Sequence, residues 1–374
     1  MDLIQIDTAR KDQVTRFIQL PLRLYRGSSQ WVPPLIGDMR LQLNRRKHPY
    51  YQHSDADFFL AVRGKEDVGR IAVLENRNYN AYHQSRTAFF YHFESVEDPA
   101  VAAALFERAL EWAKRRGLNK IIGPKGIGIL DGMGFLVDGF QQRAAMTMML
   151  YNPPAYPAYA QAAGFSKEVD FVSCHITAQQ FSLPERIHSI ADKIKARGQL
   201  RVVTFRNKAE LRAMASRIGQ AYNQAFVNNW EYIPITDAEL AQVTNDLVTV
   251  ADPKLIKIIV HGEDVVGFLF AFPDLSAAIQ RHQGRLFPLG LADLLLEYRR
   301  TRWVIVNGAG ILPQFQGRGG NALLYSEMEK TIKEAGFAHA DLTQVAETAV
   351  QMRRDLESLG GVPYKNHRVF GRAV

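Results

Sequence analysis

The sequence lacks the features of a secreted, membrane-spanning or metal-bound protein. It contains one cysteine among 374 residues, Cys174, so no pair exists to form an internal disulfide or to begin a thiolate metal site. No run approaches the roughly 18 apolar residues of a membrane-spanning helix, and the N-terminus carries Asp2 and Asp7 where a signal peptide would carry lysines. We therefore expect a cytoplasmic protein without a bound metal.

The motifs of nucleic-acid readout are missing as well. The sequence has neither zinc-finger spacing nor an RNP-type aromatic strand, so we expect no specific nucleic-acid partner. Its net charge of +8 nevertheless favours an acidic partner. Nucleic acid bound through charge, an anionic membrane surface and a polyphosphate ligand all fit, and charge alone does not choose among them.

What is present is the composition of an ordinary folded protein, with 47% hydrophobic and 22% charged residues. The length exceeds what one hydrophobic core organises, which predicts two domains. Two hairpin patterns support this division, because each joins two β-branched runs through a turn of glycine and acidic residues. These turns begin at Gly64 and Gly262, which are 198 positions apart.

The elements around both hairpins follow one order. A short strand and a helical stretch, at 209–226 in the second half, precede each hairpin, and a strand, a long amphipathic helix, a strand, a helix and a terminal strand follow it. The order β-α-β-β-β-α-β-α-β thus occurs twice, which predicts an α+β protein with two similar domains. We place the first domain at residues 1–180, a linker at 181–199 and the second domain at 200–374.

The second half carries a glycine-rich loop between a strand and a helix. Gly308 and Gly310 follow the strand at 303–306, and residues 316–321 read Gln-Gly-Arg-Gly-Gly-Asn directly before the helix. Backbone N–H groups of such a loop converge on an anion, and the helix dipole adds partial positive charge. The loop is neither a dinucleotide fingerprint nor a P-loop, because G-x-G-x-x-G and Gly-Lys-Ser/Thr are missing. The pattern predicts a phosphate-binding site.

This arrangement resembles the GNAT acyltransferase superfamily, whose signature is Gln/Arg-x-x-Gly-x-Gly/Ala at the start of its central helix. Gln316 and Gly319 match the signature, whereas its last position is Asn321. The resemblance implies two tandem GNAT-like domains, each a mixed, mostly antiparallel sheet flanked by helices. It also implies acetyl-CoA or a longer acyl-CoA as cofactor, bound by these residues: Ile311, Leu312, Gln316, Gly317, Arg318, Gly319, Gly320 and Asn321.

The first half lacks a comparable loop. Before its long helix the sequence reads Glu97-Asp98-Pro99, with two acids and no glycine. Carboxylates at a helix N-terminus cap the helix but repel a pyrophosphate. We therefore expect the first domain to be a degenerate GNAT-like domain without the cofactor, with a structural or acceptor-binding role.

The resemblance gives partial guidance on catalysis. GNAT proteins often use a tyrosine of the last helix to protonate the leaving thiolate, but the corresponding residue is Leu356. Glu347 is the candidate base. In the family that the sequence resembles, the strand before the loop diverges from its neighbour, and Glu347 lies at the open end of that divergence. It could equally cap the next helix. Tyr364 and His367 are further catalytic candidates, or ordinary residues of the terminal strand. Asn307 is the candidate for binding the acceptor, with a buried structural role as the alternative.

Two segments exceed what a minimal domain requires, a glycine-rich loop at 124–143 and an apolar insertion at 274–300. Long insertions in compact domains are often lids or binding loops. The apolar insertion suits a hydrophobic substrate or a membrane surface, or else it is a buried helix at the domain interface. Together with residues 31–34 and Asp170, the whole chain resembles a bacterial two-domain GNAT subgroup, some of whose members resemble ceramide synthases that acylate a long-chain amine.

The leading hypothesis is an acyl-CoA-dependent N-acyltransferase that transfers an acetyl or longer acyl group by direct attack of a small-molecule or lipid amine. Peripheral membrane contact remains open. One alternative is a non-catalytic acyl-CoA-binding sensor or scaffold, which Leu356 and Asn321 favour. The other is an aminoacyl-tRNA-dependent transferase, which the basic charge favours and the intact loop opposes. The sequence identifies neither the amine, the acyl length nor the oligomeric state.

Overall fold

In a computed structural model the protein is described over residues 1–128, 130–145, 149–177 and 182–374, without the side chains of Thr249 and Val250. Two of the predicted segments fall partly outside these ranges. They are the loop at 124–143, which includes Ile129, and the predicted junction of first domain and linker, which includes residues 178–181.

The chain separates into two compact units. Unit 1 comprises Met1–Val172, Leu275–Glu297 and Tyr364–Val374, and unit 2 comprises Ser173–Asp274 and Tyr298–Pro363. These units divide the chain differently from the sequence-based limits. Most of the apolar insertion and the end of the C-terminal strand belong to unit 1, although both follow residue 200 in the chain.

The order of strands and helices repeats as the sequence predicts. The strands are β1 Asp2–Gln5, β2 Asp55–Arg63, β3 Glu66–Glu75, β4 Thr87–Ser95, β5 Lys120–Gly123, β6 Phe135–Asp138, β7 Ser166–Thr177, β8 Arg201–Val203, β9 Ile256–His261, β10 Asp264–Pro273, β11 Trp303–Ile311, β12 His339–Ala346 and β13 Val362–Ala373. The α-helices are α1 Lys11–Leu24, α2 Ile36–Gln42, α3 Arg77–Tyr82, α4 Pro99–Arg115, α5 Ala155–Ala162, α6 Glu185–Arg197, α7 Lys208–Ala213, α8 Ala215–Ala225, α9 Asp237–Val250, α10 Ser276–Arg281, α11 Gly290–Arg300, α12 Gly320–Glu334 and α13 Val350–Ser358. Short 3₁₀ turns occur at Pro49–Gln52, Pro253–Leu255 and Pro313–Phe315.

The sheet of unit 1 has the strand order β1-β2-β3-β4-β5-β13. Neighbouring strands along it are antiparallel except for the parallel pair β4 and β5. The predicted hairpin is formed by β2 and β3, and it turns at Gly64, whose φ of +64° suits a residue without a Cβ atom. This confirms the prediction of a mixed, mostly antiparallel sheet.

Helix α4 packs against this sheet as its pattern predicts. The Asp98 side chain accepts a hydrogen bond of 2.9 Å from the N–H of Ala100, and Pro99 occupies the first turn. The apolar side of the helix, including Leu105 and Trp112, is buried in the core of unit 1. Burial of this stripe holds the helix on the sheet.

The strand order in unit 2 is β12-β11-β10-β9-β8, again antiparallel except for one parallel pair, β11 and β12. The second predicted hairpin is formed by β9 and β10 and turns at Gly262. The helical stretch expected at 209–226 is two helices, α7 and α8, which meet at Met214. Helix α9 follows them and begins with a capping box between Thr236 and Glu239.

Helix α6 lies in the region expected to be a linker and packs on α12 within unit 2. The ring of His188 contacts Ser326 Oγ at 3.1 Å and Glu329 Oε2 at 3.0 Å. Lys195 forms an ion pair of 2.5 Å with Glu327. These polar contacts dock α6 onto the helix that follows the glycine-rich loop.

Both units repeat one irregularity of the sheet. Where β4 pairs with β3, and again where β11 pairs with β10, the later strand contains one extra residue. The first bulge includes His92 with φ of +49°, and the second includes Gly308 with φ of +89°. The two bulges lie on equivalent strands, β4 and β11, which supports the tandem organisation. Each bulge makes its strand change direction.

The apolar insertion folds into α10 and α11, and its residues 275–297 pack within unit 1. The N–H of Ile36 donates to the carbonyl of Gly284 at 2.9 Å. The Gln280 side chain donates to the carbonyls of Ser29 and Trp31. The segment preceding α2, which includes residues 31–34, therefore holds the insertion in place.

A buried polar network lies behind β4 in unit 1. Glu94 accepts a hydrogen bond from the hydroxyl of Tyr25, at 2.6 Å, and the same carboxylate oxygen lies 3.2 Å from the hydroxyl oxygen of Tyr156. Arg70 lies 3.8 Å from the other carboxylate oxygen. Burial dominates over these partners and raises the pKa of Glu94 from 4.5 to about 7.

This shift predicts a pH-dependent contribution to stability. The folded state holds the Glu94 proton more tightly than the unfolded state, so the contribution is complete below pH 4.5 and is lost as the pH rises to about 7. We expect the stability advantage of the wild type over Glu94→Gln to shrink by on the order of 1–3 kcal/mol between pH 5 and 7.5. Urea unfolding at a series of pH values measures it, with Glu111→Gln as an exposed control. A difference that is constant with pH would contradict this assignment.

Candidate functional site

Strands β11 and β12 diverge in unit 2. They pair in parallel from Trp303 opposite His339 to Val306 opposite Leu342. Both strands then continue, to Ile311 and Ala346, without further pairing between them among the described residues. The bulge at Gly308 lies where this divergence begins, so a gap opens beside the second half of β11.

The edge of β11 that borders this gap presents backbone groups. The N–H of Leu312 donates to the carbonyl of Val266 at 2.9 Å, so it points toward β10. Because backbone groups alternate sides in an antiparallel pair, the N–H groups of Ile311 and Ala309 point the other way, into the gap. The N–H groups that face the gap are therefore those of Ile311 and of Ala309, which the sequence reasoning did not name, whereas the N–H of Leu312 faces β10.

The glycine-rich loop follows β11 directly. The Gln316 side chain donates to the carbonyl of Ile311 at 3.1 Å, which ties the loop to the strand. Gly317 and Gly319 have φ of +71° and +83°. In the described part of the chain the backbone N–H groups of residues 317–320 have no hydrogen-bond acceptor, and they lie at the start of α12. This set of donors suits an anion.

Gly319 is required for a second reason. A Cβ atom at this position would lie 2.3 Å from the side chain of Ile194 on α6, so the loop approaches that helix too closely for a side chain. Gly317 has open space around it. A substitution at Gly319 would therefore disturb packing as well as any ligand.

A shallow cavity of about 200 Å³ adjoins the loop. Its lining contains two arginines, two other polar residues and three apolar ones: Arg197, Arg318, Gln199, His261, Ile194, Leu200 and Phe315. The guanidinium of Arg318 lies 5.1 Å from the centre of the Phe315 ring. The cavity thus combines two arginines with an aromatic ring beside the unpartnered N–H groups of the loop.

A carboxylate joins the helices that follow the two diverging strands. Asp355 on α13 accepts hydrogen bonds of 3.1 Å from Asn321 and from the hydroxyl of Tyr325, both on α12. Gln351 donates to its other oxygen at 2.9 Å. Asn321 therefore differs from the Gly/Ala of the GNAT signature by fixing the distance between α12 and α13. Burial and the adjacent Asp355 raise the pKa of Tyr325.

The predicted catalytic residues are not brought together in one described cluster. Glu347 is half-buried in the turn after β12 in unit 2, and it has an interaction partner. Tyr364 belongs to unit 1, where its hydroxyl lies 3.3 Å from the sulfur of Met149. Leu356 is buried on α13. Asn307, the acceptor-binding candidate, lies at the β11 bulge and has a partner as well.

His367 is fully buried in unit 1. Its Nε2 lies 2.8 Å from the carbonyl of Leu150, so this nitrogen carries the proton and donates it. Burial lowers the pKa of His367 to about 4. The ring is therefore neutral at physiological pH and has a structural hydrogen bond.

In unit 1 a tyrosine side chain bonds the strand edge that is equivalent to the second half of β11. The N–H of Val96 donates to Val68 as that of Leu312 does to Val266, so Ser95 corresponds to Ile311. The N–H of Ser95 donates to the Tyr156 hydroxyl at 2.7 Å, and this hydroxyl donates to the Ser95 carbonyl at 2.9 Å. Tyr156 thus serves both backbone groups of Ser95, whereas in unit 2 the N–H of Ile311 faces the gap and the Ile311 carbonyl accepts from Gln316. Sequence reasoning found the acids of unit 1 but missed this tyrosine.

The described residues contain no group of three or more histidine, cysteine, aspartate or glutamate side chains placed to hold a metal ion. None of the helices in the described ranges has the length and apolar character needed to cross a bilayer.

The fold and the diverging strands define a class of protein, the tandem GNAT fold. A tandem GNAT protein from the clavulanic acid biosynthesis pathway matches with a TM-score of 0.56 at 12% identity, covering 100% of this chain and 98% of that one. A GCN5-related N-acetyltransferase from Sphaerobacter thermophilus matches with a TM-score of 0.50 at 13% identity, covering 100% and 95%. The fold expected from the loop motif is thereby confirmed.

In sequence, the chain is similar to two bacterial proteins over nearly their whole lengths. One is the bacterial ceramide synthase of Caulobacter vibrioides (strain NA1000 / CB15N), with 27% identity over 382 residues, covering 100% of this chain and 98% of the relative. The other is Protein YghO of Escherichia coli (strain K12), with 26% identity over 370 residues, covering 97% and 94%. No family model matches the chain. The finer resemblance expected from the scattered motifs agrees with these relatives.

The role of Tyr156 leads to a stability prediction. Tyr156→Phe leaves the buried N–H of Ser95 without an acceptor and removes the contact of the hydroxyl with Glu94. We expect this to cost roughly 1–3 kcal/mol of unfolding free energy. Tyr159→Phe is the matched control, because Tyr159 lies on the same helix and its hydroxyl forms no hydrogen bond with the part of the chain that the structure describes. Urea denaturation compares the two variants, and equal effects would show that the Tyr156 hydroxyl is not needed.

Proposed function

We propose that this protein is an acyl-CoA-dependent N-acyltransferase and that unit 2 binds the acyl-CoA. The observation that carries the proposal is the gap beside β11, which ends at a loop whose N–H groups at residues 317–320 have no acceptor among the described residues. A pantetheine arm pairs with an open strand edge, and a pyrophosphate suits a helix N-terminus. The tandem GNAT fold supports this assignment.

The residues along the gap fit such a ligand. Gly308, Ala309 and Gly310 have small or absent side chains, which lets another chain approach the strand. The N–H groups of Ala309 and Ile311 would align the arm, and the loop N–H groups with Arg318 would hold the phosphates. When bound, acyl-CoA supplies an acyl group activated as a thioester.

The protein's part in the chemistry is to orient the reactants and to move protons. The attacking amine must lose a proton, and we propose Glu347 as the base because it follows β12 on the side where the strands diverge. Tyr364 remains a further candidate. Positioning in a pocket that excludes water contributes to the rate as well.

We propose that unit 1 does not bind acyl-CoA. The Tyr156 hydroxyl occupies the Ser95 backbone groups, and Asp98 caps α4 and pairs with Arg63. A second anionic ligand at this helix N-terminus would meet two acids. An acceptor-binding or structural role therefore fits unit 1 better.

We propose an amine acceptor, either small or lipid-like, and the name of the Caulobacter relative supports a long-chain amine. The cytoplasm remains the proposed compartment, because the single cysteine, Cys174, is buried and unpaired. A non-catalytic acyl-CoA sensor differs from this proposal in releasing no free CoA. A tRNA-dependent transferase differs in needing salt-sensitive tRNA binding rather than acyl-CoA.

Binding of acyl-CoA tests the site. Arg318→Glu places a carboxylate at the rim of the loop, and we expect it to weaken acetyl-CoA and palmitoyl-CoA binding by about tenfold or more. Arg206→Glu is the matched control, because it makes the same charge change at another exposed position of unit 2. Isothermal titration calorimetry measures both. If the wild type binds neither ligand, the proposal fails.

Turnover separates the enzyme from the sensor. The wild type should release free CoA thiol when an amine panel, including sphingoid-type long-chain amines, is added with acyl-CoA. Glu347→Gln should lower this rate more at neutral pH than at alkaline pH, where the amine is already deprotonated. Binding without thiol release for every amine would favour the sensor.

The basic cavity predicts a preference for the 3′-phosphate of CoA. Arg197 and Arg318 line it beside the loop, so the adenosine end of the ligand would reach both guanidinium groups. Exposed charge pairs contribute little binding free energy, so we expect CoA to bind about two- to fivefold tighter than 3′-dephospho-CoA. Arg197→Gln should remove that ratio without abolishing binding. An unchanged ratio would place the adenosine elsewhere.

A further inference from the structure

The exposed apolar side chains of the protein are concentrated in one place. Phe287 is 77% exposed, Leu289 69%, Leu295 60% and Leu296 46%, and Leu291 is 39% exposed beside them. These five lie within ten residues of the insertion that contains α11. The other exposed large apolar side chains of the described chain are scattered: Met1, Tyr82, Val227, Val350, Val362 and Val374. Monomeric proteins rarely expose a contiguous apolar cluster without using it.

Helix α11 differs from an ordinary surface helix in that leucines lie on its exposed side. Its acids, Asp293 and Glu297, are four residues apart and share one face, on which both bind Arg281, at 2.8 and 2.5 Å. His282 contacts Asp293 as well, at 3.2 Å. Leu291 and Leu295 share another face, and that face is exposed. Asp293 and Glu297 thus bind Arg281 on the half-buried side of the helix, while Leu291 and Leu295 are exposed.

The exposed side also carries basic residues. Arg299 follows Leu295 by one turn of the helix, and Arg300 and Arg285 are exposed as well. Within the described residues none of these three arginines forms an ion pair, whereas both acids of the helix are paired with Arg281. The net charge of the whole chain is +8. The surface therefore combines apolar side chains with uncompensated positive charge.

The protein holds this surface on a firm support. A Cβ atom on Gly284 would lie 2.2 Å from the carbonyl oxygen of Pro34, so the start of the insertion is packed closely against the N-terminal segment. The hydrogen bonds from Ile36 and Gln280 fix the same contact. The apolar side chains are thus presented outward by a built scaffold.

We propose that this apolar-basic surface, made of Phe287, Leu289, Leu291, Leu295 and Leu296 with Arg285, Arg299 and Arg300, docks on an anionic lipid bilayer. An interfacial helix buries leucines and phenylalanines at the level of the acyl chains and places arginines among the headgroups. The charge argues for lipid over a second copy of the chain, because a symmetric contact would bring like-charged arginines together. The inference goes beyond the acyl-transfer proposal and does not depend on it.

Flotation of the full-length protein with vesicles tests the docking. We expect binding to equimolar phosphatidylcholine and phosphatidylglycerol, weaker binding to phosphatidylcholine alone, and release by added salt. The double variant L291S/L295S should lower the vesicle affinity by about a hundredfold, since each buried leucine contributes about a factor of ten. The variant R299Q/R300Q should lower it by about fivefold per arginine and reduce the salt dependence.

Matched controls keep the result interpretable. V227S/V362S makes the same kind of change at two exposed valines elsewhere and should bind vesicles as the wild type does. Thermal melting checks that each variant is folded, and acetyl-CoA calorimetry reports separately on the cofactor site. The proposal is overturned if the wild type does not bind either vesicle, or if L291S/L295S binds like V227S/V362S. It is overturned equally if light scattering without lipid shows that the leucine variant converts a dimer to a monomer, because a second copy would then cover the surface.

Discussion

The point at which β11 stops pairing with β12 governs the candidate site. An extra residue at Gly308 turns β11 out of register, and its remaining length has a pairing partner on only one side among the described residues. Backbone N–H groups need acceptors, so an open strand edge that leads to an open helix N-terminus favours an extended, anionic ligand. The small residues along the gap and the close contact of Gly319 with α6 are consistent with that requirement.

Unit 1 meets the same constraint in a different way. It has the equivalent bulge, at His92, and the equivalent strand edge, but the Tyr156 hydroxyl serves both backbone groups of Ser95. That hydroxyl also reaches Glu94, whose charge is disfavoured by burial. One fold thus supports an open edge in one unit and a closed one in the other, and Tyr156 together with the acids before α4 distinguishes the two units.

The additions to the repeated fold are located where they change the surface rather than the sheets. Helix α6 extends unit 2 beside the glycine-rich loop and contributes Arg197 to the cavity there. Residues 275–297 of the insertion with α10 and α11 belong to unit 1. Its leucines are exposed, while Asp293 and Glu297 form ion pairs with Arg281. Both additions supply positive charge, which connects the basic composition of the chain to specific surfaces.

The sequence alone was sufficient for the features that depend on local order. Hairpin turns at Gly64 and Gly262, the cap at Asp98 and the loop at 316–321 are short-range patterns, so the repeated element order and the tandem GNAT fold could be predicted from them. It could not identify Ala309 or Tyr156, because their roles depend on which side of a strand faces the gap and on a hydroxyl brought 61 residues along the chain to Ser95. The catalytic assignments stay predictions for the same reason. The tertiary structure decided the compact units and the direction of the α11 leucines, since pairing partners distant in sequence determine both.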